Sequence, residues 1–188
     1  MASVLQVATI KPQDGAANAI EIANSNANVT VNNLTGGTIT SAVNFPAGHV
    51  IQVVTGTHAT EGSTTSTGYA TTGISATITP RNTSSKIFII INTSGYNNGG
   101  TGHVTYYTIY RDSTNLETNT NIGFANIYQG SGSGDDIGSN ICISELDSPN
   151  TSSAVTYTLR VRTSSSSHTA YWSMNNSRSD ITVMEIAG

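Results

Sequence analysis

Ser84-Ser85-Lys86-Ile87-Phe88-Ile89-Ile90-Ile91-Asn92-Thr93 constrains the fold of this chain more than any other stretch. Five consecutive large apolar residues, four of them β-branched, are bounded on both sides by polar residues. Such a run, apolar on both faces, predicts a central strand buried in a sheet.

The background around that strand is unusual. The chain holds 29 Thr, 24 Ser, 19 Asn and 18 Gly, close to half of its 188 residues, and two lysines. Thr favours strands, Asn and Gly make tight turns, and Ser offers local bonds that interrupt helices. Many short strands joined by polar turns are therefore expected. Exposed all-β proteins of viral and cell surfaces have this composition, and most cytosolic enzymes do not. Charged residues are 10%, well below the usual quarter, while the 36% hydrophobic fraction is too high for a disordered chain.

Two regions separate near Phe45-Pro46-Ala47-Gly48. Residues 1–45 carry short apolar pairs, Ile20/Ile22 and Val29/Val31, then Ile39 and Val43, spaced by turn residues. They are expected to form a β-rich stalk or an anchoring arm. Residues 46–188 show the two-residue period of a sandwich or jelly-roll head. Runs at 49–55, 74–79, 86–92, 103–111, 122–128, 140–146, 154–163, 168–173 and 180–186 give eight to ten strands. In Val155-Thr156-Tyr157-Thr158-Leu159-Arg160-Val161-Arg162 the apolar residues share one face. The closing strand, Asp180 to Ile186, is apolar on both faces, so it lies centrally in a sheet or packs on another subunit. A polar stalk and such a strand predict an obligate oligomer, a trimer first of all.

The chemistry-bearing residues are sparse. His49, His58, His103 and His168 stand in no metal-ligand spacing, and no Gly-x-Ser-x-Gly elbow occurs. His168 follows four serines, a neighbour expected by chance in so serine-rich a chain. Cys142, between Ile141 and Ile143, reads as a core thiol. Gly130 to Asp136 lacks the helix a phosphate cradle needs, and reads as a surface loop. Its adjacent carboxylates, Asp135 and Asp136, are a candidate Ca²⁺ site if Glu145 and Asp147 approach; otherwise no cofactor is expected. Asp135, Asp136, Glu61 and Glu117 are also the candidates for a glycan-cleaving pair, all in loop-like contexts.

With a net charge of −4 and five scattered arginines there is no basic stripe for nucleic acid, and no apolar run approaches a membrane span. Tyr106, Tyr107 and Tyr110 on one strand, and Tyr171-Trp172 on another, read first as core or subunit interface. Residues 56–72, 94–102, 129–138 and 164–168 read as long polar loops. Tyr69, Tyr96, Tyr128, Asp135 and Asp136 are their candidate receptor contacts.

Four segments add a family resemblance: Pro46-Ala47-Gly48-His49-Val50-Ile51-Gln52-Val53, Ile78-Thr79-Pro80-Arg81-Asn82-Thr83-Ser84-Ser85-Lys86-Ile87, Tyr110-Arg111-Asp112-Ser113-Thr114-Asn115-Leu116 and Ile181-Thr182-Val183-Met184-Glu185-Ile186. In order over residues 46–188, the chain resembles the head regions of fibre-like virion proteins of tailed bacteriophages, marine ones especially. The resemblance implies a trimeric β-sandwich knob on the particle surface and supplies no catalytic residues. Only about 45 residues precede the head, against the long shafts of larger members. That favours a short fibre, a collar or tail fitting, or a capsid decoration protein, held to other virion proteins by its arm. The expected function is structural and non-enzymatic, with contact to a host surface glycan open to it. The competing expectation is a carbohydrate-binding, receptor-recognition module at a tail fibre tip.

Overall fold

A computed structural model describes residues 45–98, 101–117, 122–130 and 136–188. The arm expected over residues 1–45 lies outside the described residues except for Phe45, as does Asp135. Among the described residues eleven strands follow in order: β1 (Val50–His58), β2 (Gly62–Thr64), β3 (Ala70–Ile78), β4 (Lys86–Asn98), β5 (His103–Arg111), β6 (Thr114–Asn115), β7 (Ala125–Gln129), β8 (Ile137–Asp147), β9 (Val155–Thr163), β10 (Thr169–Trp172) and β11 (Ser179–Ile186). All pairings are antiparallel, and they form two sheets. The described residues are all-β, as the composition predicts.

In the first sheet β4 is the organising strand. One edge pairs along its length with β8; the other pairs with β11 over Lys86–Asn92 and with β10 over Gly95–Asn98. β11 and β10 thus lie end to end, with β1 and β2 outside them. The second sheet runs β3–β9–β5, and β7 and β6 share the far edge of β5.

The core comes from the alternation. Ile87, Ile89 and Ile91 of β4, Ile74 and Ile78 of β3, Tyr157, Leu159 and Val161 of β9, and Ile181 and Val183 of β11 are all nearly or wholly buried. Each fully buried Ile or Leu contributes about 1.5–3 kcal/mol relative to exposure. The last strand lies centrally, between β1 and β4, one of the two placements its pattern allows.

The expected loops are shorter than the sequence suggests. β4 continues to Asn98, so 94–98 is strand, and β1, β2 and β3 take up much of 56–72. Gly95 misleads: it reads as a turn, yet it faces inward, where a Cβ would overlap the Tyr107 hydroxyl and the Ile127 methyl. It is a glycine of close approach, inside a strand. Cys142 is also corrected, because it is exposed. Alternation along β8 sends Ile141 and Ile143 into the core and turns the thiol outward.

Candidate functional site

The outward positions of β4 lead to the first candidate site. Tyr96 projects from the outer face of the first sheet, and the β4–β10 register sets Tyr171 opposite it. The two rings meet edge to face, with centroids 5.2 Å apart at 64°. β2 pairs with β10, so Glu61, the residue just before β2, arrives beside the turn that follows β10. Glu61, Tyr96, Asn98, Tyr171, Met174 and Asn175 line an open pocket of about 410 Å³.

Its wall is a strained turn. Ser173, Asn175 and Asn176 have φ of 51°, 55° and 57°, three of the five positive-φ residues other than glycine among those described. Such conformations persist where surrounding contacts hold them. Here the Asn175 N–H donates to Glu61 Oε2 at 2.6 Å, and the Glu61 N–H donates to Asn176 Oδ1 at 3.1 Å. The Met174 N–H donates to Ser94 Oγ at 2.7 Å.

Asp136 joins the site from the segment before β8. Its carboxylate accepts the hydrogen bond of the Tyr96 hydroxyl, which, with burial and the charge itself, pushes that phenol up to about 12. Two of the expected contact residues therefore come together. The others stand apart. Tyr69 packs edge-on against Tyr110, centroids 6.0 Å apart, with the Arg162 guanidinium 5.3 Å above its ring, and burial raises its phenol. Tyr128 is 58% exposed on β7, in the second sheet. Tyr171, Glu61 and Asn175 were not foreseen as partners of Tyr96. The sequence signal was the Tyr171-Trp172 pair, which alternation divides between pocket and core, Trp172 being buried.

A second surface feature lies on the same sheet. The registers align Val53, Met184, Phe88 and Leu146 across four strands, with Val50 and Ile186 on one side of this row and Ile90 on the other. Val50, Val53 and Leu146 are 53%, 53% and 49% exposed, and the others are half-buried. The central strand's second apolar face is thus on the outside, and no strand of this chain covers it among the described residues.

The catalytic readings find little geometry. Ser167 Oγ lies 2.8 Å from His168 Nε2, but His168 stacks on His103, with the rings 21° from parallel, and no carboxylate meets its Nδ1. Asp147, considered for Ca²⁺, instead receives Arg111 Nη1 on both oxygens at 2.8 Å and the Tyr157 hydroxyl at 2.7 Å. Among the described residues no three His, Cys, Asp or Glu side chains gather as metal ligands, and no helix is long and apolar enough to cross a membrane.

No family model and no curated protein matches the chain. Among solved structures it is similar to the D431N mutant VP2 protein of infectious bursal disease virus in derived T=1 particles, with a TM-score of 0.38 and 13% identity over 82% of this chain and 41% of that one. It is also similar to the structure of infectious bursal disease virus strain Gx, with a TM-score of 0.40 and 16% identity over 82% and 38%. The chain spans about two fifths of the length of these proteins.

Proposed function

We propose that the protein is a non-enzymatic structural protein of a bacteriophage virion, a short homotrimeric fibre, knob or decoration protein displayed on the particle surface. The observation that carries this reading is the apolar row Val53–Met184–Phe88–Leu146, continued by Val50, Ile90 and Ile186. A contiguous apolar face of this kind marks a surface of association. A threefold axis, around which three such faces meet, would cover it. The resemblance of residues 46–188 to phage fibre heads supports the same assignment, and residues 1–45 serve as the attachment to other virion proteins.

Immunogold electron microscopy of the phage that encodes the protein tests the location. Label on the surface of intact particles is expected. Purified particles free of the protein would contradict the assignment.

A further inference from the structure

The pocket around Tyr96 has a chemistry that the apolar face lacks. We infer that it binds a neutral pyranose sugar. The inference rests on the surface-display reading only for where such a sugar would come from; the binding belongs to the isolated protein.

Four observations converge. First, Tyr96 and Tyr171 supply two adjacent aromatic rings, and a pyranose offers such rings the apolar C–H side it needs to shed water. Second, the polar groups around the rings are of the kind that pair with hydroxyls. The Asn98 and Asn175 amides both donate and accept. Glu61 holds Asn175 with Oε2 alone, which leaves lone pairs on Oε1 for a hydroxyl proton.

Third, the site is pre-organised. Asp136 fixes the Tyr96 hydroxyl, and the left-handed turn at Ser173, Asn175 and Asn176 is locked through Glu61 and Ser94. Strain kept in a surface turn that walls a pocket is what a built binding site stores. Fourth, no Lys or Arg lines the pocket among the described residues, while Glu61 lines it and Asp136 sits on Tyr96. An anionic sugar would face the Glu61 carboxylate with no counter-charge in the lining, and Asp136 on the Tyr96 hydroxyl adds to the negative charge, so uronic and sialic acids are disfavoured. Asp136 and Tyr96 were foreseeable as loop and aromatic contacts; the carboxylate–amide–ring constellation exists only through the β4–β10–β2 pairing.

The test is saturation-transfer NMR and titration of the full-length protein. The probes are methyl glucoside, methyl galactoside, methyl mannoside and N-acetylglucosamine, with glucuronic acid and tetramethylammonium as comparators. At least one neutral sugar is expected to bind in the millimolar range or tighter, and glucuronic acid is not. Tyr171→Ala should weaken that binding about tenfold or more, the loss expected for an aromatic contact. Glu61→Gln, at an exposed position that leaves the core intact, should weaken it by a factor of about three to ten. Circular dichroism checks that both variants fold. No neutral sugar bound at about 50 mM, equal binding by both variants, or preference for tetramethylammonium would overturn the inference. None of these results depends on oligomeric state or on location in a particle, so the structural assignment stands or falls separately.

Discussion

Gln52 Nε2 donates a 2.6 Å hydrogen bond to Glu185 Oε2, between residues that are register partners on β1 and β11. Glu185 is wholly buried, and its other oxygen accepts the Arg81 N–H at 2.7 Å. Gln52 in turn donates to the Thr79 carbonyl at 2.8 Å. One carboxylate thus ties the first strand, the segment after β3 and the last strand together. Glu185→Ala takes from the half-buried Gln52 amide one of its two acceptors, leaves the Arg81 N–H without its carboxylate and opens a void at a wholly buried position, and should cost about 1–3 kcal/mol in urea unfolding. Glu185→Gln should not restore the loss, because its amide hydrogens would face one of two donors.

Arg111, Asp147 and Tyr157 join the two sheets at one edge, since Asp147 ends β8 while Arg111 and Tyr157 belong to β5 and β9. Asp147→Ala leaves the fully buried Tyr157 ring with an unpaired hydroxyl beside an uncompensated guanidinium, and should destabilise by about 2–4 kcal/mol. Arg111→Ala should cost less, because Tyr157 still satisfies the carboxylate. A double-mutant cycle on Arg111 and Asp147 should return a coupling of about 1–2 kcal/mol.

The strand pattern was legible wherever alternation ran long. β5 spans the residues expected of it, and β9 and β11 come within one residue of theirs. β2 and β6 have three and two residues, too few for a period to show. The full length of β4 is hidden because a glycine reads alike in a turn and at a close approach, and only the distant Tyr107 and Ile127 side chains tell the two apart. The apolar neighbours of Cys142 suggest the core, whereas its parity along the strand turns it outward. The site was half legible: Tyr96 and Asp136 were singled out, but their link to Glu61 and Tyr171 spans pairings that no local pattern encodes.

Gly95→Ala tests that reading of the glycine directly. The new methyl would overlap the Tyr107 ring and hydroxyl, whose hydrogen bond to the Tyr171 carbonyl is 2.9 Å long. The substitution should cost about 2–4 kcal/mol by overpacking. Tyr107→Phe in the same background should recover part of it, since it removes the nearest atom. A glycine open to solvent at negative φ would tolerate the change, so an unaltered urea midpoint would contradict the close approach to Tyr107.

The Tyr96–Asp136 contact makes a titration prediction. The phenol should ionise near pH 12, against 10.0 for a free tyrosine. Its folded value lies above its unfolded one, so its contribution to stability is intact below about pH 10 and is lost as the pH rises towards 12. In Asp136→Asn the Tyr96 ¹³Cζ signal should titrate closer to 10.0. An unchanged midpoint would show that the carboxylate does not hold the ring.

His103 predicts sensitivity at the acid end. Burial and the adjacent His168 ring lower its value below 6.5, so the unfolded chain takes up the proton more readily. Stability should be full above about pH 6.5 and fall as acidification passes through the depressed value. His103→Phe should flatten that fall in thermal melts between pH 7 and pH 5, and an undiminished slope would assign the effect to other groups.

The trimer proposed above has the outer face of the first sheet as its assembly surface. Light scattering of the full-length protein, coupled to gel filtration at micromolar concentration, measures it. A mass near three chains of 19.5 kDa is expected for the native protein. One chain is expected for a Val53→Glu/Leu146→Glu variant that keeps its β-sheet circular dichroism. A stable native monomer, or a trimer indifferent to charges placed at Val53 and Leu146, would contradict it.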